Sequence, residues 1–257
     1  MLSRSVGMLP ESEVRTMLRS KMGRMILGAL AIAFLLAPAA AMAQSQSITL
    51  TAGFFAPKGQ DGRVDDDVLL AELSSGDPLL FEIGDFAGGN IGAEWLIGLG
   101  DYLEAGVGAS YYRRTVPSIY ELSVRPNGSE IEQDLRLRIA PVTATLRVFP
   151  MGKYKGFQPY LGAGVSRLNY RFSEAGDFID PSDNAIFPAR YVGKGSTVAP
   201  VFLGGLRYPV GDRLLVGGEL RYQSGEGDLP TGGEDGFIAS KIDLGGWNGN
   251  FTLGFRF

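Results

Sequence analysis

Apolar side chains alternate with polar or small side chains, at a period of two, through most of the chain after residue 46. Between Ser47 and Ala56, apolar residues occupy every second position over ten residues. A β-strand points successive side chains to opposite faces, so this pattern predicts a strand with one apolar face. Ten residues is also the length with which a tilted strand crosses a bilayer. The alternation therefore favours a β fold whose apolar face contacts lipid.

The same alternation recurs further along the chain, in seven more segments: 90–97, 103–111, 135–148, 160–166, 201–208, 214–222 and 251–257. The fold class that we predict is an all-β, transmembrane, eight-stranded antiparallel up-and-down β-barrel, with ten strands as the alternative. In the segment 135–148, Pro141 interrupts the pattern, which predicts a bulge and a change of phase. That change would place Arg136 and Arg138 on the same face as Arg147.

The predicted strands are joined alternately by long and short connections. The short ones are 98–101, 150–156 and 209–212, and the long ones are 57–88, 113–133, 173–196 and 225–241. Long extracellular loops with short periplasmic turns are typical of outer-membrane barrels, and both termini would then be periplasmic. A soluble lipocalin-like barrel is the alternative. It is disfavoured by the regular asymmetry and by aromatic residues near strand ends, namely Trp95, Tyr111, Tyr208, Tyr222, Phe255 and Phe257.

Residues 1–43 have the pattern of an N-terminal extension and a secretory signal peptide. Lys21 and Arg24 precede the apolar run 25–36, and Ala41 and Ala43 form a small-x-small cleavage site. We expect cleavage after Ala43, which leaves residues 44–257 as the barrel domain. An uncleaved anchor helix is the alternative.

Composition removes several classes of function. The chain has no Cys and no His, which excludes thiol catalysis, zinc–cysteine sites and every mechanism that needs a histidine base. The formal net charge of −4 argues against nucleic acid as a partner. We expect neither a cofactor nor a metal.

The C-terminal segment 251–257 and the segments 104–108 and 159–165 resemble the small bacterial outer-membrane protein β-barrel family, the OmpA/OmpX/OmpW-like barrels. The resemblance implies an outer-membrane location, contact with outer-membrane lipids and lipopolysaccharide, and a monomer. It also implies that the barrel-assembly machinery reads Phe251, Leu253, Phe255 and Phe257 as an assembly signal. The family shares no single activity, so the resemblance predicts fold better than function.

An eight-stranded barrel has room for little besides its own side chains. The polar face carries three acids and six bases, which are Glu94, Glu104, Glu219, Arg136, Arg138, Arg147, Arg207, Arg221 and Arg256. Unpaired charges there would be costly, so we expect an ion-pair lattice in the lumen, with Glu219 serving several bases, Arg207 and Arg256 among them. A structural plug is the favoured interpretation, and a gate or narrow anion path is the alternative.

These features predict a non-enzymatic outer-membrane protein with a structural or surface-interaction role through its long loops. The alternative is a narrow channel for small or hydrophobic molecules. A catalytic set of the three glutamates is disfavoured, because glutamates that alternate with glycine on a barrel wall are ordinary pairing partners.

Overall fold

The computed structural model describes residues 45–257, apart from 154–155, 181–182 and 232–235. The predicted extension and signal peptide, with Ala41 and Ala43, lie outside the described residues, so cleavage after Ala43 stays a prediction. Among the described residues, no helix has both the length and the apolar character needed to cross a bilayer.

Eight antiparallel strands close into a barrel. In chain order the strands are β1 (Gln46–Pro57), β2 (Gly88–Leu99), β3 (Leu103–Val124), β4 (Glu130–Val148), β5 (Gln158–Ile179), β6 (Ile186–Val210), β7 (Leu214–Gln223) and β10 (Gly246–Arg256). Each strand pairs with its neighbour in sequence, and β10 pairs with β1 to close the ring. The connection from β7 to β10 contains a separate two-stranded ribbon of β8 (Glu226–Asp228) and β9 (Lys241–Asp243). The predicted eight-stranded up-and-down barrel is confirmed.

The alternation sorts the side chains of the barrel as the sequence predicts. In the part of the barrel between the short turns and the level of Val142, apolar residues point outward and are exposed, and most small or polar residues point into the lumen. The outward set forms a continuous apolar belt, which includes Ile48, Leu50, Ile91, Trp95, Val107, Tyr111, Val142, Leu146, Leu161, Val165, Val198, Phe202, Leu206, Tyr208, Leu220, Trp247, Phe251, Leu253 and Phe255. A soluble barrel would leave such a belt in water, which is unusual for a monomeric protein.

One side of the barrel is much taller than the other. Strands β3 to β6 have 22, 19, 22 and 25 residues, whereas β1, β2, β7 and β10 have 10 to 12. The prediction of long loops at 113–133 and 173–196 is therefore wrong, because most of each segment is β-strand. The outward residues of the β4 and β5 extensions are mostly polar, which is typical of loops, while most of their inward residues are buried. We call this part of the sheet the tall wall.

Pro141 does not change the phase of β4. The pairing of β4 with β5 runs from Gln133 to Val148 without a register shift. Arg136 and Arg138 consequently point outward, and their expected place in the lumen is wrong. Leu135, Leu137 and Ile139 are at most 2% exposed, and a slip of one residue would have turned all three out of the core.

The two ends of the barrel differ in their connections. At the short-turn end, Gly100 and Gly211 have φ of +76° and +67°, a conformation that glycine adopts without strain and that lets the hairpins reverse tightly. At the tall end, loop 1 (58–87) and the described parts of loop 4 (224–231 and 236–245) fold back over the lumen. Loop 1 contains the helix α1 (Val68–Leu73) and two 3₁₀ turns, Gln60–Gly62 and Ile83–Phe86.

Candidate functional site

Six buried charged side chains form an ion-pair lattice in the lumen near the short-turn end. Glu94, Glu104, Arg147, Arg207, Glu219 and Arg221 come from β2, β3, β4, β6 and β7. Each points inward because it occupies the polar phase of its strand. Their side chains are between 1% and 12% exposed. The lattice therefore ties together strands that are distant in sequence.

Arg147 lies at the centre of this lattice. Its Nη2 atom is 2.8 Å from Glu219 Oε2 and also forms a short ion pair with Glu94, and its Nη1 is 3.7 Å from Glu104 Oε1. The guanidinium therefore contacts all three buried carboxylates.

The other two arginines complete the pairing. Arg207 binds Glu104 with two parallel hydrogen bonds of 2.9 Å, the geometry in which a guanidinium holds a carboxylate most firmly. Arg221 donates to Glu219 at 2.8 Å and to Glu94 at 3.3 Å. Three positive and three negative groups balance, so the buried lattice has no net charge.

Neutral side chains fill the remaining hydrogen-bonding positions. Thr145 donates to Glu94 at 2.9 Å and Tyr160 donates to Glu219 at 3.0 Å, while Gln158 accepts from Arg207 at 2.9 Å. Glycines make the room: a Cβ at Gly106 would lie 2.6 Å from Glu94, and one at Gly205 would lie 2.5 Å from the Tyr160 ring.

A very small void borders the lattice at Arg147, Arg207 and Glu219. The void that the lattice lines, together with Thr49, Thr51 and Thr252, measures about 10 Å³. A single water needs about 10 to 15 Å³. Each carboxylate is bound by two arginines, so none is placed as a free general acid or base. The arrangement is suited to closing the lumen.

The structure brings together six of the nine predicted lumen residues. Arg256 points inward near the short-turn end but forms no ion pair within 4 Å with a described residue. Arg136 and Arg138 lie outside, as described above. Glu219 does serve more than one base, but those bases are Arg147 and Arg221 instead of Arg207 and Arg256.

A second layer, which the sequence interpretation missed, closes the tall end. Loops 1 and 4 pack against the inner face of the tall wall in one hydrophobic core. Its buried residues are Phe55, Val68, Leu69, Leu79, Ile83, Phe86, Tyr112, Val116, Leu135, Leu137, Ile139, Leu168, Tyr170, Phe172, Ala199, Leu229, Phe237, Ala239, Ile242 and Leu244. The apolar run Val68-Leu69-Leu70 inside a supposedly solvated loop is the signal that could have revealed it.

Ion pairs and hydrogen bonds connect loop 1 to loop 4. Within loop 1, Arg63 pairs with Asp67 at 2.5 Å; toward loop 4, Arg63 donates to the Asp243 carbonyl at 3.1 Å and Asp67 accepts from the backbone N–H of Asp243 at 2.7 Å. Lys58 pairs with Asp243 at 3.0 Å. Loop 1 is also hydrogen-bonded to the tall wall, since Leu80 N–H donates to the Ile119 carbonyl at 2.8 Å. The loops are thus fixed in place.

Two carboxyl groups in this upper layer have perturbed acidity. Burial raises the pKa of Glu72, on α1, to about 7. Burial also raises the pKa of Glu174, on β5, and the nearby negative charge of Glu72 raises it further. Glu174 Oε1 has no hydrogen-bond partner among the described residues. Both groups therefore hold their proton to a higher pH in the folded state than an exposed glutamate does.

The predicted assembly-signal residues lie together on one face. Phe251, Leu253 and Phe255 point outward from β10 and, with Phe257, are 42% to 62% exposed. They are part of the apolar belt or adjoin it. Their reading by an assembly machinery stays a prediction.

Comparison with known proteins identifies the architecture. No protein-family model and no curated protein matches the sequence. Among solved structures, the outer membrane protein OprG from Pseudomonas aeruginosa is similar, with a TM-score of 0.50 and 14% identity over 83% of this chain and 97% of that chain. The outer membrane protein W of E. coli is 18% identical over 84% of this chain and all of that chain, with a TM-score of 0.38. The chain has the fold of the small outer-membrane β-barrel proteins.

Proposed function

We propose that this protein is a non-enzymatic, integral outer-membrane barrel with a closed lumen, which serves a structural or surface-interaction role. The observation that carries the proposal is that two separate layers of the protein fill the lumen. A neutral ion-pair lattice closes the short-turn end, and the clasped loops 1 and 4 close the tall end. A conducting path would have to open both layers.

The apolar belt supports insertion into a membrane. Its residues face outward around the ring, where they would contact the hydrocarbon chains of lipids. Backbone hydrogen bonds of the barrel close on themselves, as a bilayer requires. The signal-peptide pattern and the fold favour the outer membrane as the location.

In this proposal the short-turn end of the barrel faces the periplasm, as do the N- and C-terminal residues of the barrel domain. The tall wall stands outside the cell. Strand β6, with 25 residues, is about 80 Å long if fully extended, whereas 9 to 11 residues cross a bilayer. More than half of it would therefore project beyond the membrane, so the tall wall and its two hairpin turns form the surface available to partners.

Proteoliposome swelling tests whether the lumen is closed. Vesicles that contain the folded protein are placed in an isotonic solution of a pentose, with a general porin as the positive control. The proposal predicts no swelling above that of empty vesicles. Swelling at a rate that rises with protein content would contradict it and favour the narrow-channel alternative.

Single-cysteine labelling tests the location and orientation, and the absence of native cysteine makes every introduced one unique. Asn127→Cys lies in the exposed turn between β3 and β4, and Asp212→Cys lies in a short turn. A membrane-impermeant maleimide should label Asn127→Cys in intact cells, and Asp212→Cys only after the outer membrane is permeabilised. The reverse pattern would contradict the proposed orientation.

A further inference from the structure

The outer surface of the tall wall carries a cluster of cations just beyond the apolar belt. We call this cluster the arginine face, and its members are Arg113, Arg136, Arg138, Arg171, Arg190 and Lys194. Four of them stand directly opposite one another across four adjacent strands: Arg113 opposite Arg138, Arg138 opposite Arg171, and Arg171 opposite Lys194. Since neighbouring strands are about 4.8 Å apart, this row extends over about 14 Å.

Folding alone does not favour such a row. Like charges directly opposite on a sheet repel one another and destabilise it. Among the described residues, none of the six cations has a carboxylate within 4 Å, although Asp134 points outward two residues from Arg136. Elsewhere in the barrel the arginines Arg147, Arg207 and Arg221 are all paired. An anion from outside the chain would offset the repulsion.

The arginine face also has a concave centre. Five arginines of the face, with Tyr111 and Ser173, line a pocket of about 150 Å³. Ser173 is one of the lining residues and is only 4% exposed, although its position in the alternation of β5 turns it outward. Arg136 is held in place by a hydrogen bond of 2.9 Å from its Nε to Thr115. The pocket is thus lined by several guanidinium donors and by the hydroxyl-bearing residues Ser173 and Tyr111, which suit the oxygens of a phosphate group.

The height of the arginine face indicates where that phosphate comes from. Arg113 follows Tyr111 of the belt by two residues, about 7 Å along β3, and Lys194 precedes Val198 by four residues, about 13 Å along β6. The cations therefore lie just above the hydrocarbon-facing surface and point sideways, toward surrounding lipid instead of bulk solvent. This is the level of lipid headgroups.

We propose that the arginine face binds the phosphate groups of a phosphorylated glycolipid in the surrounding leaflet, the lipid A part of lipopolysaccharide. This proposal rests on the proposed outer-membrane location with the tall wall outside. Acyl chains would lie against the apolar belt while the headgroup phosphates occupy the pocket and the row of cations. The protein would then be fixed in its leaflet by charge as well as by apolar contact.

Titration of the folded protein in zwitterionic detergent tests the site directly. The probe is fluorescent diphosphoryl lipid A, and the matched ligand is the same lipid with both phosphates removed. We expect diphosphoryl lipid A to bind and to be weakened by added salt, because the contacts are ionic. Arg138→Gln together with Arg171→Gln should weaken binding by about tenfold or more, since charged hydrogen bonds are lost. Arg213→Gln, a matched change on the exposed turn at the opposite end, should leave binding unchanged.

Several results would overturn the proposal. Equal binding of the dephosphorylated lipid would show that the arginines do not bind the phosphates. Unchanged binding by the double variant Arg138→Gln and Arg171→Gln would show the same. Competition by inorganic phosphate at the affinity of lipid A would assign the site to free phosphate. Tighter binding of a soluble sulfated polysaccharide would assign the face to a glycan partner. Binding in detergent does not depend on orientation in the cell, so the cysteine-labelling experiment separates failure of this site from failure of the proposed location.

Discussion

Replacing Arg147 by Met tests the ion-pair lattice at its centre. Arg147 contacts Glu94, Glu104 and Glu219, and its side chain is 4% exposed. Its removal leaves three buried carboxylates and two arginines, so one negative charge is uncompensated. Breaking a buried ion pair by removing one partner costs about 3 to 5 kcal/mol.

The structure places the expected loss at the lower end of that range. Glu104 keeps its two hydrogen bonds from Arg207, and Glu219 keeps Arg221 at 2.8 Å and Tyr160 at 3.0 Å. Glu94 keeps Thr145 and a weaker contact with Arg221 at 3.3 Å. We therefore expect Arg147→Met to lower the free energy of unfolding by about 3 kcal/mol.

Urea unfolding of the refolded protein, followed by tryptophan fluorescence, measures this loss. With a urea dependence of about 1 to 3 kcal/mol per molar, the midpoint should fall by about 1 to 3 M. Arg138→Met is the matched control, because it makes the same change on the exposed outer face and should shift the free energy by less than about 0.5 kcal/mol. Arg147→Met combined with Glu94→Gln restores neutrality and should recover part of the loss. Equal midpoints for Arg147→Met and Arg138→Met would refute this account of the lattice.

Three further predictions concern the upper layer and the C-terminus. Leu69→Asp buries an unpaired charge and should expose loop 1 to trypsin while the barrel remains intact. The control Leu80→Asp, at a position 48% exposed in the same loop, should leave loop 1 protected. Equal cleavage of the two variants would contradict the packing of loop 1. Because the pKa of Glu174 is raised above the ordinary glutamate value of 4.5 in the folded state, protonation stabilises that state, and stability should fall as the pH rises above that value. Urea midpoints should show this fall in the wild type and in an exposed Glu130→Gln control but less of it in Glu174→Gln, and an unchanged pH slope in Glu174→Gln would refute the assignment. Deleting Phe257 should reduce the yield in the outer membrane without reducing export, and an equal outer-membrane yield would contradict its role as an assembly signal.

The sequence was informative wherever one strand face contacts lipid and the other contacts the lumen. Strand number, the outward belt and the inward position of residues such as Glu219 all follow from strict alternation, because a one-residue slip exchanges the two faces. The ion-pair partners across the lumen cannot be predicted from the alternation. Arg147 contacts Glu219, which is 72 residues away in the sequence, and this pairing depends on closure of the ring. Alternation can also be misread where the outward face is polar. Arg136 and Arg138 were misplaced because they point outward above the belt, where charge is no longer costly.

The loops were misread for a related reason. The segment 113–133 carries several charged residues and lacks the apolar alternation of the belt strands, which is why it reads as a long loop, yet its inward residue Val116 is buried in the core that loop 1 shares. Neither the wall nor loop 1 buries its apolar side chains alone, so the upper layer is visible only when the two are considered together. Val68 and Leu69 show this, because they lie in a polar loop by sequence and are fully buried in the structure.

The central claim is that two independent layers close the lumen, and single-molecule conductance in planar bilayers tests it most directly. Three variants are compared with the wild type: one with residues 60–84 of loop 1 replaced by a short Gly-Ser linker, one with Glu94→Ala and Arg147→Ala in the lattice, and one that combines both changes. The wild type and each single-layer variant should remain silent, and the combined variant should show discrete conductance steps. Steady conductance steps from the wild type, at a frequency that rises with the amount of protein, would contradict the claim.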